Sequence, residues 1–211
     1  MIRVNNLKNQ FKFMFYHFVN ELDSAEKTTN KYRLRGELPF KKIKFDKYDK
    51  FRTQSFFYFT RLNNIVGDSQ NHSVSYKMLR KRIEKELDIE LPKINQGSKE
   101  IINTFYNQRN WTVHFTKYEL QAELDLNPSR YDDHRHTVGR PKYVTRELYL
   151  DLIHSNWSEI NKARIIRNLI LQDYFKLFGE YPQIHRNKGY TIDLSSLEKA
   201  ERSFEYSKKK P

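Results

Sequence analysis

The sequence predicts an all-α protein, an up-and-down helical bundle with a basic loop insertion and a C-terminal helical extension. Apolar residues recur at steps of three and four along most of the 211 residues, which is the spacing of one helix face. Gly and Pro number six each and fall between the periodic segments. We assign residues 1–180 to the helical domain and residues 181–211 to the extension, with a short helix from Ser195 and a frayed basic tail.

The first half of the chain predicts three helices and one loop. An apolar stripe indicates a helix over about residues 4–25. Gly36 and Pro39 break the period within residues 31–45, KYRLRGELPFKKIKF, so we expect an extended basic loop there, with room for a short strand. Two further helices are predicted over about residues 49–66 and 75–87.

The second half predicts two long helices with a loop between them. Ser98 is a suitable N-cap for a helix that ends near residue 125, before Pro128. Residues 128–142, PSRYDDHRHTVGRPK, have the composition of an exposed loop. Thr145 is the expected cap of the last long helix, which is interrupted near residues 155–158 and stops at Gly179.

The charge of the chain favours a polyanionic partner. Lys and Arg total 39 against 26 acidic residues, a formal charge of +13. Residues 1–60 carry 13 basic and 6 acidic side chains, residues 61–127 carry 10 and 9, and residues 128–211 carry 16 and 11. The excess is therefore concentrated at the two ends of the chain, and a field of this sign speeds the encounter with nucleic acid.

The absence of cysteine fits a reducing cytoplasm, which is the predicted location. No apolar run approaches the roughly 20 residues that a membrane helix requires, so no membrane association is expected. Gly-rich phosphate loops, recognisable Ser-His-Asp groupings and paired-carboxylate motifs are also missing from the sequence. An NTP-driven or glycosidase function is therefore not indicated.

The segment NQRNWTVHF, residues 107–115, places three polar groups on a predicted helix where packing requires none of them. Each helical residue turns about 100°, so Asn110 and His114 lie on the same face, and the long side chain of Arg109 can reach over it. Histidine moves protons near neutral pH, arginine offers a fixed fork of donors to a phosphate, and asparagine can orient either partner. Together they suit RNA cleavage without a metal.

The pattern R-N-x-x-x-H in a long helix of a basic all-helical protein resembles the signature of the HEPN superfamily. In that family an arginine, often followed by a polar residue, precedes a histidine by a short spacing, and here Arg109, Asn110 and His114 match these positions. The resemblance implies a HEPN-like bundle and a dimer in which two motif helices form one composite site. It also implies metal-independent cleavage, in which the RNA 2′-hydroxyl attacks the adjacent phosphate and leaves a 2′,3′-cyclic end. It covers residues 98–126.

The loop at residues 128–142 contains two weaker candidates. Arg130 and His136 also have the family's spacing, but Tyr131 follows that arginine and the segment has loop rather than helix character. The second candidate is a metal cluster of neighbouring acids and histidines, Asp132, Asp133, His134 and His136. No ligand spacing of a known metal motif occurs there, so we predict neither a metal nor another cofactor.

Basic side chains in the two predicted loops are candidates for contact with the RNA backbone. They are Arg130, Arg135, Arg140 and Lys142 in one loop and Lys41, Lys42 and Lys44 in the other. The arginine-rich loop is alternatively an ordinary exposed loop. Phe40, Phe45 and Tyr48 lie among the lysines and either stack on bases or anchor the loop to the core. His17, in an aromatic helix, is expected to be a core or boundary histidine rather than a catalyst.

The leading interpretation is a homodimeric HEPN-type endoribonuclease in a toxin–antitoxin or anti-phage abortive-infection system. RNA is its predicted partner, and an antitoxin or regulatory protein is a further one. The alternative from another class is a non-catalytic basic helical module that binds RNA or protein, in which the helices serve dimerisation. A third interpretation is a regulator that acts through protein contacts alone.

Overall fold

The computed structural model describes residues 2–36, 41–70, 73–113 and 142–183. Within these ranges the chain is mostly helical, with five helices packed together, which confirms the predicted helical character. Two short strands form the remaining regular structure of the described residues. In chain order the elements are α1 (Ile2–Gly36), β1 (Lys42–Lys44), α2 (Phe45–Gly67), α3 (Tyr76–Leu87), α4 (Gln96–Val113), β2 (Tyr143–Thr145) and α5 (Arg146–Phe178).

Helix α1 continues through residues 31–36, so the prediction of an extended loop from residue 31 was wrong for this part. The reason is the burial of Tyr32, which is only 3% exposed. Its ring stacks on Phe51 at a centroid distance of 4.2 Å, and its carbonyl oxygen accepts a 2.8 Å hydrogen bond from the Tyr149 hydroxyl. These contacts with α2 and α5 hold the last turns of α1, and the helix reaches Gly36.

The predicted short strand of the basic insertion is present as β1. It pairs with β2 in an antiparallel ribbon, with Ile43 opposite Val144. The Phe45 amide donates to the Lys142 carbonyl at 3.1 Å, and the Arg146 amide donates to the Lys41 carbonyl at 3.2 Å. The ribbon therefore ties together the first residues of α2 and α5, which the sequence places about 100 residues apart.

The starts of α3 and α4 follow capping chemistry. The Ser75 hydroxyl accepts a hydrogen bond from the Met78 amide, so the predicted start of α3 is confirmed. For α4 the cap is not Ser98 as predicted. The side-chain oxygen of Asn95 accepts from the Ser98 amide at 2.8 Å, and the helix begins at Gln96. Its predicted continuation to residue 125 lies outside the described residues beyond Val113.

Helix α5 runs unbroken from Arg146 to Phe178, so the predicted interruption near residues 155–158 was wrong. Asn156 is buried and its amide donates a 2.7 Å hydrogen bond to the Ser55 hydroxyl of α2, so the helix buries its polar residue without a break. The predicted ends are confirmed. Thr145 accepts from the Leu148 amide, and Gly179 has a φ of 74°, the left-handed conformation of a helix stop.

The core consists of two adjacent apolar clusters. The larger one joins all five helices, with Phe11, Phe18, Leu62 and Ile166 among its fully buried members. The smaller one lies under the ribbon and contains Tyr32, Phe51, Tyr149 and Ile153. The predicted short helix at Ser195 and the basic tail lie outside the described residues.

Candidate functional site

The motif helix α4 buries one face and leaves Arg109 at its edge. Ile102 and Phe105 are buried in the main core. Arg109 follows Phe105 by four residues and therefore lies on nearly the same side, one turn further along. Its side chain is 17% exposed, a boundary position between core and solvent. The prediction that the polar group borders the core is confirmed for Arg109.

Asp68 holds the Arg109 side chain. Arg109 Nη2 lies 3.2 Å from Asp68 Oδ1, and the Asp68 side chain is 20% exposed. The same carboxylate oxygen accepts from the Gln70 amide at 3.1 Å, and the Asp68 carbonyl accepts from the Ser75 hydroxyl. Because Asp68 is fixed by its own loop, the ion pair sets the direction of the guanidinium at the C-terminal end of α2.

The contact between α2 and α4 beside this pair is unusually close. A Cβ on Gly67 would lie 2.5 Å from the Tyr106 backbone nitrogen, a separation that real side chains do not tolerate. Lys77 of α3 adds a cation–π contact, with its ammonium 4.4 Å from the centre of the Tyr106 ring. Contacts from α2 and α3 therefore fix the position of α4 one turn before Arg109.

The other two motif residues are not placed. Asn110 belongs to α4, but its side chain lies outside the described residues, as does the whole of His114. The same holds for Arg130, Arg135 and Arg140. Two further candidates also fall outside the described ranges. They are the second Arg–His pair, Arg130 with His136, and the metal-cluster candidate, Asp132, Asp133, His134 and His136.

The structure brings the lysine candidates of the two loops together. Lys41, Lys42 and Lys44 are exposed on β1 and just before it, and Lys142 is exposed at the start of the paired segment. The ammonium of Lys142 lies 5.7 Å from the Tyr143 ring centre. The sequence predicts two separate loops for these residues, and strand pairing makes them one cationic ribbon.

This ribbon and Arg109 are at opposite ends of α2. The ribbon precedes the first residue of the helix, and Asp68 follows the last one. A helix of 23 residues is roughly 35 Å long at 1.5 Å per residue. The structure therefore does not bring the ribbon lysines into the same site as Arg109.

The aromatic residues near the ribbon bear on the choice between base stacking and anchoring to the core. Tyr48 is half-buried and packs against the smaller core cluster, and burial raises the pKa of its phenol. This supports the anchoring role for Tyr48. Phe45 is half-buried, and the centre of its ring lies 6.2 Å from the centre of the Tyr48 ring. Phe40 lies outside the described residues.

A buried polar network that the sequence does not predict connects α3 with α5. Arg80 Nη1 donates to both oxygens of Asp173 at 2.7 and 2.9 Å, and the Tyr76 hydroxyl donates to Asp173 Oδ2 at 2.8 Å. Burial raises the pKa of Asp173 to about 6, although Arg80 opposes the shift. The spacing of Tyr76 and Arg80 by one helical turn is the only sequence signal, and it does not identify a partner 93 residues away.

His17 is half-buried on α1, so of the two expected positions, core or boundary, it occupies the boundary. Its ring lies edge-on to the Phe13 ring, at a centroid distance of 4.2 Å, and edge-on to the Tyr16 ring, at a centroid distance of 5.5 Å. Phe13 and Tyr16 themselves are exposed, at 61% and 46%. The surface of α1 therefore carries aromatic rings that the core does not use.

Comparison with known proteins does not assign this chain to a family. No family model matches the chain, and neither a curated protein nor a solved structure shows significant similarity to it. In the described ranges, no three potential metal ligands are grouped. Among the helices of those ranges, none combines the length and the apolar character needed to cross a bilayer.

Proposed function

We propose that this protein is a HEPN-like, metal-independent endoribonuclease that acts as a homodimer. One observation carries the proposal: the R-N-x-x-x-H motif begins at the end of a core-anchored helix, with Arg109 at the boundary between core and solvent. The mostly helical architecture and the charge of +13 agree with it. In the proposed dimer, two motif helices face each other across a two-fold axis and share one cleft.

The proposed reaction uses the RNA as its own nucleophile. The 2′-hydroxyl attacks the adjacent phosphorus, a new O–P bond forms, and the bond to the 5′-oxygen of the next nucleotide breaks. His114 is the proton-transfer group, since a proton leaves the 2′-oxygen and another reaches the departing 5′-oxygen. Arg109 stabilises the charge that grows on the phosphate, and Asn110 orients the substrate or the histidine. The products are a 2′,3′-cyclic phosphate and a 5′-hydroxyl.

The direct test is RNA cleavage in the presence of EDTA, followed by analysis of the ends. We expect cyclic phosphate ends, and we expect His114→Ala to lower the rate by roughly 10²- to 10⁴-fold. His154→Ala is the matched control, because His154 is exposed on α5 and has no proposed role. Cleavage that stops on chelation, or that proceeds equally with His114→Ala, would refute the proposal.

The biological setting belongs to the same proposal. HEPN ribonucleases serve in toxin–antitoxin and abortive-infection systems, and we extend that role to this chain, with an antitoxin or regulatory protein as its partner. Expression in a bacterial host is the corresponding assay. The wild type should arrest growth while His114→Ala does not.

The second candidate is a non-catalytic RNA-binding module. Two observations favour it: Arg109 is ion-paired with Asp68, and the cationic ribbon lies roughly 35 Å from that pair. It predicts salt-sensitive RNA binding without product formation, and only a modest loss of affinity in Arg109→Ala. A nuclease instead loses most of its turnover in that variant. Measuring affinity and cleavage on the same preparation separates the two functions.

A further inference from the structure

Two grooves meet on the surface formed by α1, α2 and α3. The first, between α1 and α3, has a volume of about 530 Å³ and is lined by Gln10, Val74, Lys81, Arg82, Lys85 and Glu86, among others. The second, of about 350 Å³, is lined by Phe13, His17, Arg61, Asn64 and Val74, among others. Val74 lines both, so the two grooves are neighbours on this surface. We call this surface the α1–α3 track.

The first groove of the track carries a net positive charge. Lys81, Arg82, Lys85 and Arg61 line the track, and Glu86 is the single carboxylate among the lining residues. Arg82 is paired with Glu86 at 3.5 Å, and Arg61 with Glu21 at 2.8 Å. Lys81 and Lys85 are exposed, one helical turn apart on α3. A ligand in the first groove therefore meets two exposed ammonium groups, which suits successive phosphates.

The other end of the track presents flat rings. Phe13 is 61% exposed and Phe57, which lies beside the groove through Arg61, is 52% exposed. The Arg61 guanidinium sits 5.4 Å from the Phe57 ring centre, and the Phe13 and His17 rings meet at 4.2 Å. Exposed phenylalanines next to cations are the elements of a stacking platform for unpaired bases.

The middle of the track adjoins the loop that positions Arg109. Val74 and Asp68 belong to the same connection between α2 and α3. The Asn64 carbonyl, on α2, accepts from the Asp68 amide at 3.3 Å, and Ser75 donates to the Asp68 carbonyl. A strand lying in the track therefore passes within one short connection of the residue that holds Arg109.

We infer that the α1–α3 track binds single-stranded RNA, with phosphates along Lys81 and Lys85 and unpaired bases on Phe13, His17 and Phe57. The choice of RNA rests on the proposed function. A second copy of the chain fits the surface poorly, because a two-fold interface would place the same cationic patch on both of its sides. The track gives the proposed nuclease a preference for unpaired substrate and a path that leads the strand towards Arg109.

The test is fluorescence anisotropy with a labelled oligouridylate, in EDTA and on the His114→Ala background so that binding is measured without cleavage. We expect Phe13→Ala/Phe57→Ala to weaken binding at least roughly tenfold, and Phe13→Tyr/Phe57→Tyr to retain it. Lys81→Gln/Lys85→Gln should reduce the slope of log K against log salt by roughly 1.4, about 0.7 for each phosphate that no longer meets a lysine. The oligouridylate paired with oligoadenylate should bind more weakly and be insensitive to the phenylalanine variants.

The matched controls are Phe175→Ala, an exposed ring on α5, and Lys99→Gln, an exposed lysine on α4. Both should bind like the parent, and far-UV circular dichroism should match throughout. Unchanged RNA affinity in the track variants overturns the inference. The inference also fails if light scattering shows that these variants lose the dimer while their RNA affinity stays intact. The proposed function fails separately, if wild-type cleavage does not depend on His114.

Discussion

At the scale of single residues, the motif is represented by Arg109 and its ion pair with Asp68. A guanidinium at a partly buried boundary needs a counter-charge, and Asp68 supplies it at 3.2 Å. Because Asp68 also accepts from the Gln70 amide, its carboxylate cannot easily follow a moving arginine. In the proposed nuclease, Asp68 is a positioning residue that aims Arg109 at the phosphate before the substrate arrives.

We predict that Asp68→Asn lowers the cleavage rate constant at saturating RNA by roughly tenfold or more, with a smaller effect on affinity. Asparagine keeps the shape and the acceptor for Gln70 but removes the charge that orients the guanidinium. Single-turnover kinetics over a range of enzyme concentrations separate the two parameters. Glu90→Gln, at an exposed carboxylate, is the control. An unchanged rate constant in Asp68→Asn would mean that the ion pair is only structural.

The motif shows where inference from the sequence succeeds and where it stops. The boundary position of Arg109 follows from its spacing after Ile102 and Phe105, because helical periodicity is local. The identity of the side chain that pairs with Arg109 does not follow from the sequence. Asp68 is 41 positions earlier in the chain, in a loop whose path depends on how α2 packs against α4.

At the scale of elements, periodicity predicted the five helices, and tertiary contacts corrected their ends. The extension of α1 depends on Tyr32 packing against Phe51 and Tyr149, and the continuity of α5 depends on Asn156 bonding to Ser55. Neither contact is visible in a local window. The ribbon was predicted only as a strand, since pairing with residues about 100 positions away requires the folded bundle.

The approach of α2 to α4 gives a second prediction. Gly67→Ala should lower the free energy of unfolding by about 1–3 kcal/mol, because the new methyl group collides with the Tyr106 backbone rather than with a movable side chain. Urea unfolding measures the change. Gly97→Ala is the matched control, since its nearest neighbour would be a side-chain atom at 3.8 Å, and it should be neutral or slightly stabilising. Equal effects of the two substitutions would contradict the close helix contact.

At the scale of the whole molecule, basic side chains lie in two separate places. The cationic ribbon lies at one end of α2, and the Asp68–Arg109 pair and the α1–α3 track lie towards the other. The sequence predicted an excess of basic residues near both chain ends but not this spatial separation, because strand pairing and helix packing decide which lysines become neighbours. A strand bound at both places would have to run along the bundle.

The buried Asp173 links the stability of the bundle to pH. Burial raises its pKa from 3.8 to about 6, while Tyr76, Arg80 and Glu84 are the titratable groups that act on it. A native pKa above the unfolded one means that the folded protein binds the proton more tightly. The contribution of Asp173 to stability is therefore greatest below about pH 4 and is lost as the pH rises through about 6.

We therefore predict that the unfolding free energy of the wild type, relative to Asp173→Asn, falls between about pH 4 and pH 6.5 with a slope of at most about 1.4 kcal/mol per pH unit. Urea titrations of both proteins at several pH values give this difference, in which the other titrating groups cancel. Asp151→Asn, at an exposed carboxylate on the same helix, should show a flat difference over this range. A flat difference for Asp173→Asn as well, or one that rises with pH, would show that Arg80 and Tyr76 outweigh burial and keep the carboxylate ionised in the folded protein.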